Sequence, residues 1–142
     1  MALAGCGGDS SDETSDSNVA VIQLEPVPGV GKVLVNADGK TLYRSTYDLK
    51  WDTVTHCNGG CTKIWKPELT ATKPDPGPGI EAFKLGTLKR KDGTLQATYD
   101  GWPLYSYSRE GPRESKGLAL LSAGQTWYAL EGAKAVSVEK VN

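Results

Sequence analysis

The chain has one His, one Met, one Phe and three Cys among its 142 residues. Each scarcity removes a class of chemistry. A Ser–His–Asp arrangement would have to use His56, and no Gly-x-Ser-x-Gly turn is present to carry its nucleophile. Zinc takes four ligands, and after His56, Cys57 and Cys61 the body of the chain has no further Cys or His to offer. Glycine-rich phosphate loops are absent. So is any apolar run long enough to span a membrane. A net charge of −1 gives no basis for nucleic-acid binding.

What is present is a core. Hydrophobic residues make up 38% of the chain, too many for a disordered polymer. The length suits one domain or two tightly joined halves. Four Trp and six Tyr supply rings that pack in a core while keeping a polar tip for a partner or for water.

Charge is unevenly placed. Residues 1–18 carry Asp9, Asp12, Glu13 and Asp16 and no Lys or Arg, leaving 16 basic against 13 acidic residues beyond them. Leu3-Ala4-Gly5-Cys6 resembles a bacterial lipobox, in which the Cys is acylated and the preceding segment removed. Gly7 to Asn18 contains no apolar side chain and reads as a disordered acidic tether. Only five residues precede Cys6, too few for a basic region followed by an apolar one, so residues 1–6 read as a signal peptide cut short. Acyl chains contribute about 0.8 kcal/mol per buried CH₂, so two or three would hold the chain on a bilayer.

Residues 19–142 read as one all-β domain, mainly antiparallel, with few short helical turns. Asp-Gly tolerates positive φ and marks hairpins when β-rich runs flank it. It occurs at Asp38-Gly39, between residues 32–36 and 41–47. It recurs at Asp92-Gly93, between residues 83–90 and 94–99, and at Asp100-Gly101, before residues 103–108. Further strands are expected at 19–24, 125–131 and 135–141, and helical turns at 62–65 and 79–85. Lys73 to Gly79 alternates Pro and Gly and reads as an irregular linker between two halves.

Shifted by 62 positions, the chain matches itself without gaps. Asp38-Gly39-x-x-Leu42-Tyr43 falls on Asp100-Gly101-x-x-Leu104-Tyr105, Asp48 on Glu110, and Trp65 on Trp127. Two hairpin units, approximately 31–73 and 93–135, are therefore expected to pair as a pseudo-two-fold sandwich or barrel. Period-2 alternation puts Tyr43, Ser45 and Tyr47 on one face, and Leu104 and Ser106 opposite Tyr105 and Tyr107. Core packing with satisfied hydroxyls is the simplest role for these tyrosines, and capping or pairing at a strand end is the simplest for Asp48 and Glu110.

These residues, with residues 57–65, 85–94 and 99–107, resemble the bacterial secreted-repeat lipoproteins named for a Tyr-x-(aromatic)-x-x-Asp motif. The resemblance covers roughly residues 29–132. It implies a cell-envelope location and lipid anchoring, and brings no catalytic residue with it. Two departures stand out: Ser45 takes the aromatic position in the first copy, and Glu110 the acid position in the second.

Cys57 and Cys61 enclose Asn58-Gly59-Gly60 and, in an exported chain, read as a disulfide. The alternative is an extracytoplasmic redox or copper-handling protein using His56, Cys57 and Cys61, since thiolates suit Cu(I). Trp51, Trp102, Tyr105 and Tyr107 could stack on sugar rings, with Trp102 the expected exposed ring. The reading that follows is a non-catalytic binding or structural protein of the envelope, not an enzyme and without a cofactor. Its partners are a lipid bilayer through acylated Cys6 and a cell-wall or surface component. Its motif residues are Tyr43, Asp48, Trp102, Tyr105, Tyr107 and Glu110.

Overall fold

A computed structural model describes residues 18–131 in full and Lys134–Ala135 as backbone. The described residues form twelve strands and two short 3-10 turns. Strands β1 (Val21–Val27) and β2 (Gly31–Val35) make an antiparallel hairpin. Strands β6 (Leu85–Lys89) and β7 (Leu95–Tyr99) make another, extended by β8 (Trp102–Pro103). Between and after them come β3 (Leu42–Ser45), β4 (Trp65–Pro67), β9 (Tyr105–Tyr107), β10 (Leu120–Ser122), β11 (Gln125–Glu131) and β12 (Lys134–Ala135). These form a central sheet in the order β10-β11-β3-β9-β4, with β12 on β11. Among the described residues its outer strands β10 and β4 do not pair with each other, so the sheet does not close into a barrel. The expected strand at 135–141 lies largely outside the described residues.

The centre of this sheet carries the repeat. Tyr105 of β9 faces Tyr43 of β3. On one side β11 sets Trp127 against Ser45 and Ala129 against Tyr43. On the other, β4 sets Trp65 against Tyr107 and Pro67 against Tyr105. A shift of 62 converts each of these pairs into the other, so a pseudo-two-fold axis passes between β3 and β9.

The Asp-Gly turns behave differently from one another. Asp100 and Gly101 both adopt positive φ (51° and 84°), as a two-residue hairpin turn needs, and Tyr99 pairs with Trp102 across them. At Asp92-Gly93 the Gly93 N–H donates to the Arg90 carbonyl at 2.9 Å and closes the β6–β7 hairpin. Asp38-Gly39 also turns the chain, but the strands it joins enter different sheets. Only Val35 and Thr41 bridge before β3 leaves for the central sheet. The Asn36 side-chain oxygen accepts from the N–H groups of Asp38 and Lys40, so this turn is closed locally and needs no strand pairing. Residues 103–108 likewise form two strands rather than one, the chain changing sheets at Leu104.

The expected linker is also partly regular. Asp75–Pro76 (β5) runs parallel to β1. Asp75 and Gly77 supply the N–H groups, donating to Ala20 and Ile22 carbonyls at 2.8 and 2.7 Å. Pro76, which has no N–H, faces away at the sheet edge, where proline is tolerated. The helical turns fall at Gly59–Lys63 and Ala82–Lys84.

Alternation along the strands builds two cores. Tyr43, Tyr105, Tyr107, Trp127 and Ala129 project into one, with Val33, Val35 and Trp65. Leu42, Leu104 and Leu130 project into the other, with Ile22, Leu34, Leu85, Ala97 and Tyr99. The first is aromatic and the second aliphatic, and the central sheet is buried by both.

Candidate functional site

The motif residues meet in the aromatic core, and they meet across the repeat. The Tyr43 hydroxyl of the first copy donates to both carboxylate oxygens of Glu110 in the second, at 3.0 and 2.9 Å. The Tyr105 hydroxyl of the second copy donates to Asp48 Oδ2 in the first, at 2.7 Å. Each acid also takes a backbone N–H from its own copy: His56 N–H donates to Asp48 at 2.7 Å, and Gly117 N–H to Glu110 at 3.3 Å. Asp48 is 1% exposed and Glu110 7%, so both clasps lie out of water. Burial, then the facing carboxylate, pushes both phenols far up from their ordinary range. Burial raises Glu110 to about 7 despite the hydrogen bond from Tyr43.

The rings repeat the same symmetry. Tyr43 meets Trp65 edge to face at 5.3 Å, and Tyr105 meets Trp127 at 5.1 Å, both with planes 81° apart. Trp65 and Trp127 stack on each other at 4.1 Å, and Tyr107 stacks on the other side of Trp65 at 4.5 Å. Ser45 occupies the place equivalent to Tyr107. Instead of a ring, the buried Gln125 side chain fills that position, bonded to the Ser45 hydroxyl and donating to the His56 carbonyl.

A second exchange links the loops to the turns. Trp51 N–H donates to the Gly101 carbonyl at 2.9 Å, and Arg113 N–H to the Gly39 carbonyl at 3.0 Å. Trp51 and Arg113 are 62 positions apart, as are Gly101 and Gly39. Both bulky residues hold positive φ, 67° and 63°. Such a conformation is costly for a side chain of this size and persists only where the surroundings fix it. Here the fixing element is the Asp-Gly turn of the other copy. At Trp51 two further contacts help: Lys50 pairs with Asp100 at 2.9 Å, and the indole lies directly over Gly101. A Cβ at Gly101 would come 2.5 Å from that ring.

The remaining sequence candidates lie elsewhere. Cys57 and Cys61 are joined in a disulfide with Cα atoms 5.3 Å apart. Each sulfur is thus taken by the other, Cys57 is fully buried, and His56 Nδ1 lies 3.3 Å from Asp48. Among the described residues no group of three His, Cys, Asp or Glu is placed to hold a metal ion. The copper reading has no support in this donor set. Trp102 is half-buried beneath the Arg44 guanidinium, 4.2 Å from the ring centroid, and its Nε1 has no hydrogen-bond partner among the described residues. The exposed indole is instead Trp51, 68% accessible, in a loop that also exposes Tyr47, Leu49 and Val54. Cys6 and residues 7–17 lie outside the described residues. No helix among those described is long and apolar enough to cross a membrane.

Two interlocked copies of one β unit, clasped by exchanged Tyr–acid pairs, define a tandem-repeat β protein. The model of a family described as a secreted repeat of unknown function matches the chain twice, over residues 28–67 and 86–130. The chain belongs to that secreted-repeat family. No curated protein and no solved structure gives a significant match to it.

Proposed function

We propose that this protein is a non-catalytic binding module of the cell envelope, held on a bilayer by acyl chains on Cys6, with its Trp51 loop turned to a wall or surface component. One contrast carries the reading. The repeat builds the same strained, projecting backbone position twice, at residues 51 and 113. It fills one with Arg and the other with an exposed Trp that sits on a glycine. Tyr47, Leu49 and Val54 are exposed in the same loop, and several large apolar side chains exposed together mark an interaction surface where a single one would not. The polar groups of the motif are spent on internal hydrogen bonds, which leaves them holding the fold rather than a ligand.

The anchoring part is supported by the lipobox-like Leu3-Ala4-Gly5-Cys6 and the apolar-free stretch behind it. Its test is fractionation of cells expressing the chain behind a complete export signal. The protein should sediment with membranes and carry the mass of acyl chains, and Cys6→Ser should be released into the soluble fraction. A Cys6→Ser chain that stays with the membranes at wild-type level would contradict acyl anchoring.

A further inference from the structure

Three neighbouring clefts share lining residues along β6 and its turn. The first, about 320 Å³, lies between the Trp51 loop and β6, with Thr53, Thr87 and Thr98 on its walls. Thr53 and Lys89 are shared with a second of about 220 Å³. Arg90 and Lys91 continue into a third of about 480 Å³, where Lys66 joins them. The result is one track beginning at an exposed indole and ending among cations.

Its charge is unbalanced. Lys66, Lys89, Arg90 and Lys91 line the track, and among the described residues none of them forms an ion pair. The acids present are Asp52 and Asp92, and an oxygen of Asp92 already accepts from the Thr94 N–H and hydroxyl. Arg90 is the decisive residue. It is 6% exposed, and among the described residues its guanidinium donates to neutral oxygens: Gln96 Oε1 at 2.6 Å, the Cys57 carbonyl at 2.7 Å and Asn58 Oδ1 at 3.0 Å. Asp92, whose carboxyl is held low first by the Thr94 hydrogen bonds and also by Arg90, is itself exposed to solvent, and an anion in the adjoining cleft would add counter-charge beside this buried cation. The Cys57–Cys61 disulfide closes the loop that presents two of those three oxygens. It thereby fixes the position of the cation.

We propose that this track binds a linear anionic glycan. One pyranose ring stacks on Trp51, threonine hydroxyls meet its hydroxyls, and carboxylate or phosphate groups further along the polymer lie over Lys89, Arg90, Lys91 and Lys66. Indole faces suit the apolar faces of sugar rings, and an extended cleft of alternating hydroxyl and cationic character suits a polymer better than a compact metabolite. This deepens the binding role proposed above and rests on it.

The test is a calorimetric titration of the purified domain, disulfide intact, with hexagalacturonate, mannopentaose phosphate and neutral maltohexaose. Saturable binding of at least one anionic oligosaccharide is expected, at least about tenfold tighter than that of maltohexaose and weakening with salt. The two anionic probes distinguish carboxylate from phosphate as the group recognised. Lys89→Gln/Lys91→Gln alters only exposed side chains and should weaken the anionic ligand by about fivefold or more while leaving the melting temperature unchanged. Equal binding of maltohexaose, lost in Trp51→Ala, would overturn the anionic class while the Trp51 binding role stands. No binding of any of the three would overturn the glycan assignment. The broader role is judged separately, by retention on whole envelope material.

Discussion

Tyr43 and Glu110, 67 residues apart in sequence, are joined by the phenol donating to both carboxylate oxygens, and the equivalent pair Tyr105 and Asp48 is joined in the opposite sense. Each copy therefore completes the other. A single copy would leave its Tyr and its acid without their partners, and within the folded pair those groups are buried away from water.

The exchange predicts which mutations couple. Tyr105→Phe strips a donor from buried Asp48 and should cost about 1–3 kcal/mol in urea unfolding. In double-mutant cycles, Tyr105→Phe should couple to Asp48→Asn by about 0.5 kcal/mol or more, and show a much smaller interaction with Glu110→Gln. Stronger coupling within a copy than between copies would contradict the arrangement.

Glu110 predicts a pH dependence. Its folded value is raised to about 7 by burial, above the ordinary Glu value that applies in the unfolded chain. Between those two values the folded state holds a proton that the unfolded state has released. Stability from this group is thus complete below the ordinary Glu value and declines as pH rises towards 7, levelling off above it. The loss should be on the order of 1–2 kcal/mol once solvent screening is allowed for. Glu68, raised by burial, acts in the same direction. Urea unfolding at pH 5 and pH 8 should show this decline, and Glu110→Gln should reduce it to the share that Glu68 contributes.

Ser45 explains why the first copy departs from the motif. A ring at that position would extend the Tyr107–Trp65–Trp127 stack, but Gln125 holds the space. Ser45→Tyr should destabilise the domain by about 1–3 kcal/mol through overpacking. Pairing it with Gln125→Ala should recover part of that loss, measured by thermal melting.

The disulfide closes a loop with only four residues of separation, so its contribution is modest. Cys57→Ser/Cys61→Ser should lower stability by about 2 kcal/mol. Intact mass without reductant should lie two hydrogen atoms below the reduced chain, and thiol titration of the native domain should find neither cysteine free.

Much of this was legible before the fold was known. The Asp92-Gly93 and Asp100-Gly101 turns, the β content and the 62-residue shift follow from turn chemistry and self-comparison. The swap did not. A repeat of Tyr and acid looks the same whether each pair closes within its copy or across the pair, and only the sheet order decides. Asp38-Gly39 misled because Asn36 closes that turn without a paired hairpin. The parallel β5 was hidden by prolines, which mark an edge strand as readily as a linker. Trp51 was hard to separate from Trp102, since an indole serves a core or a surface equally well. The signal that distinguishes it, its equivalence to Arg113 under the same shift, was present in the sequence and is meaningful only once both backbones are seen at positive φ.

Exchanged Tyr–acid pairs hold the fold, and the Trp51 loop is proposed to meet the partner. The most direct measurement is retention of Trp51→Ala and Tyr105→Phe on insoluble envelope polysaccharide, each compared with its own melting temperature. Trp51→Ala, which loses the indole's contact with Gly101, should melt slightly below the wild type and not be retained, while Tyr105→Phe should melt lower still and, below its transition, be retained like the wild type. A Tyr105→Phe protein that melts like the wild type and is not retained would make the motif the ligand site and overturn this division of roles.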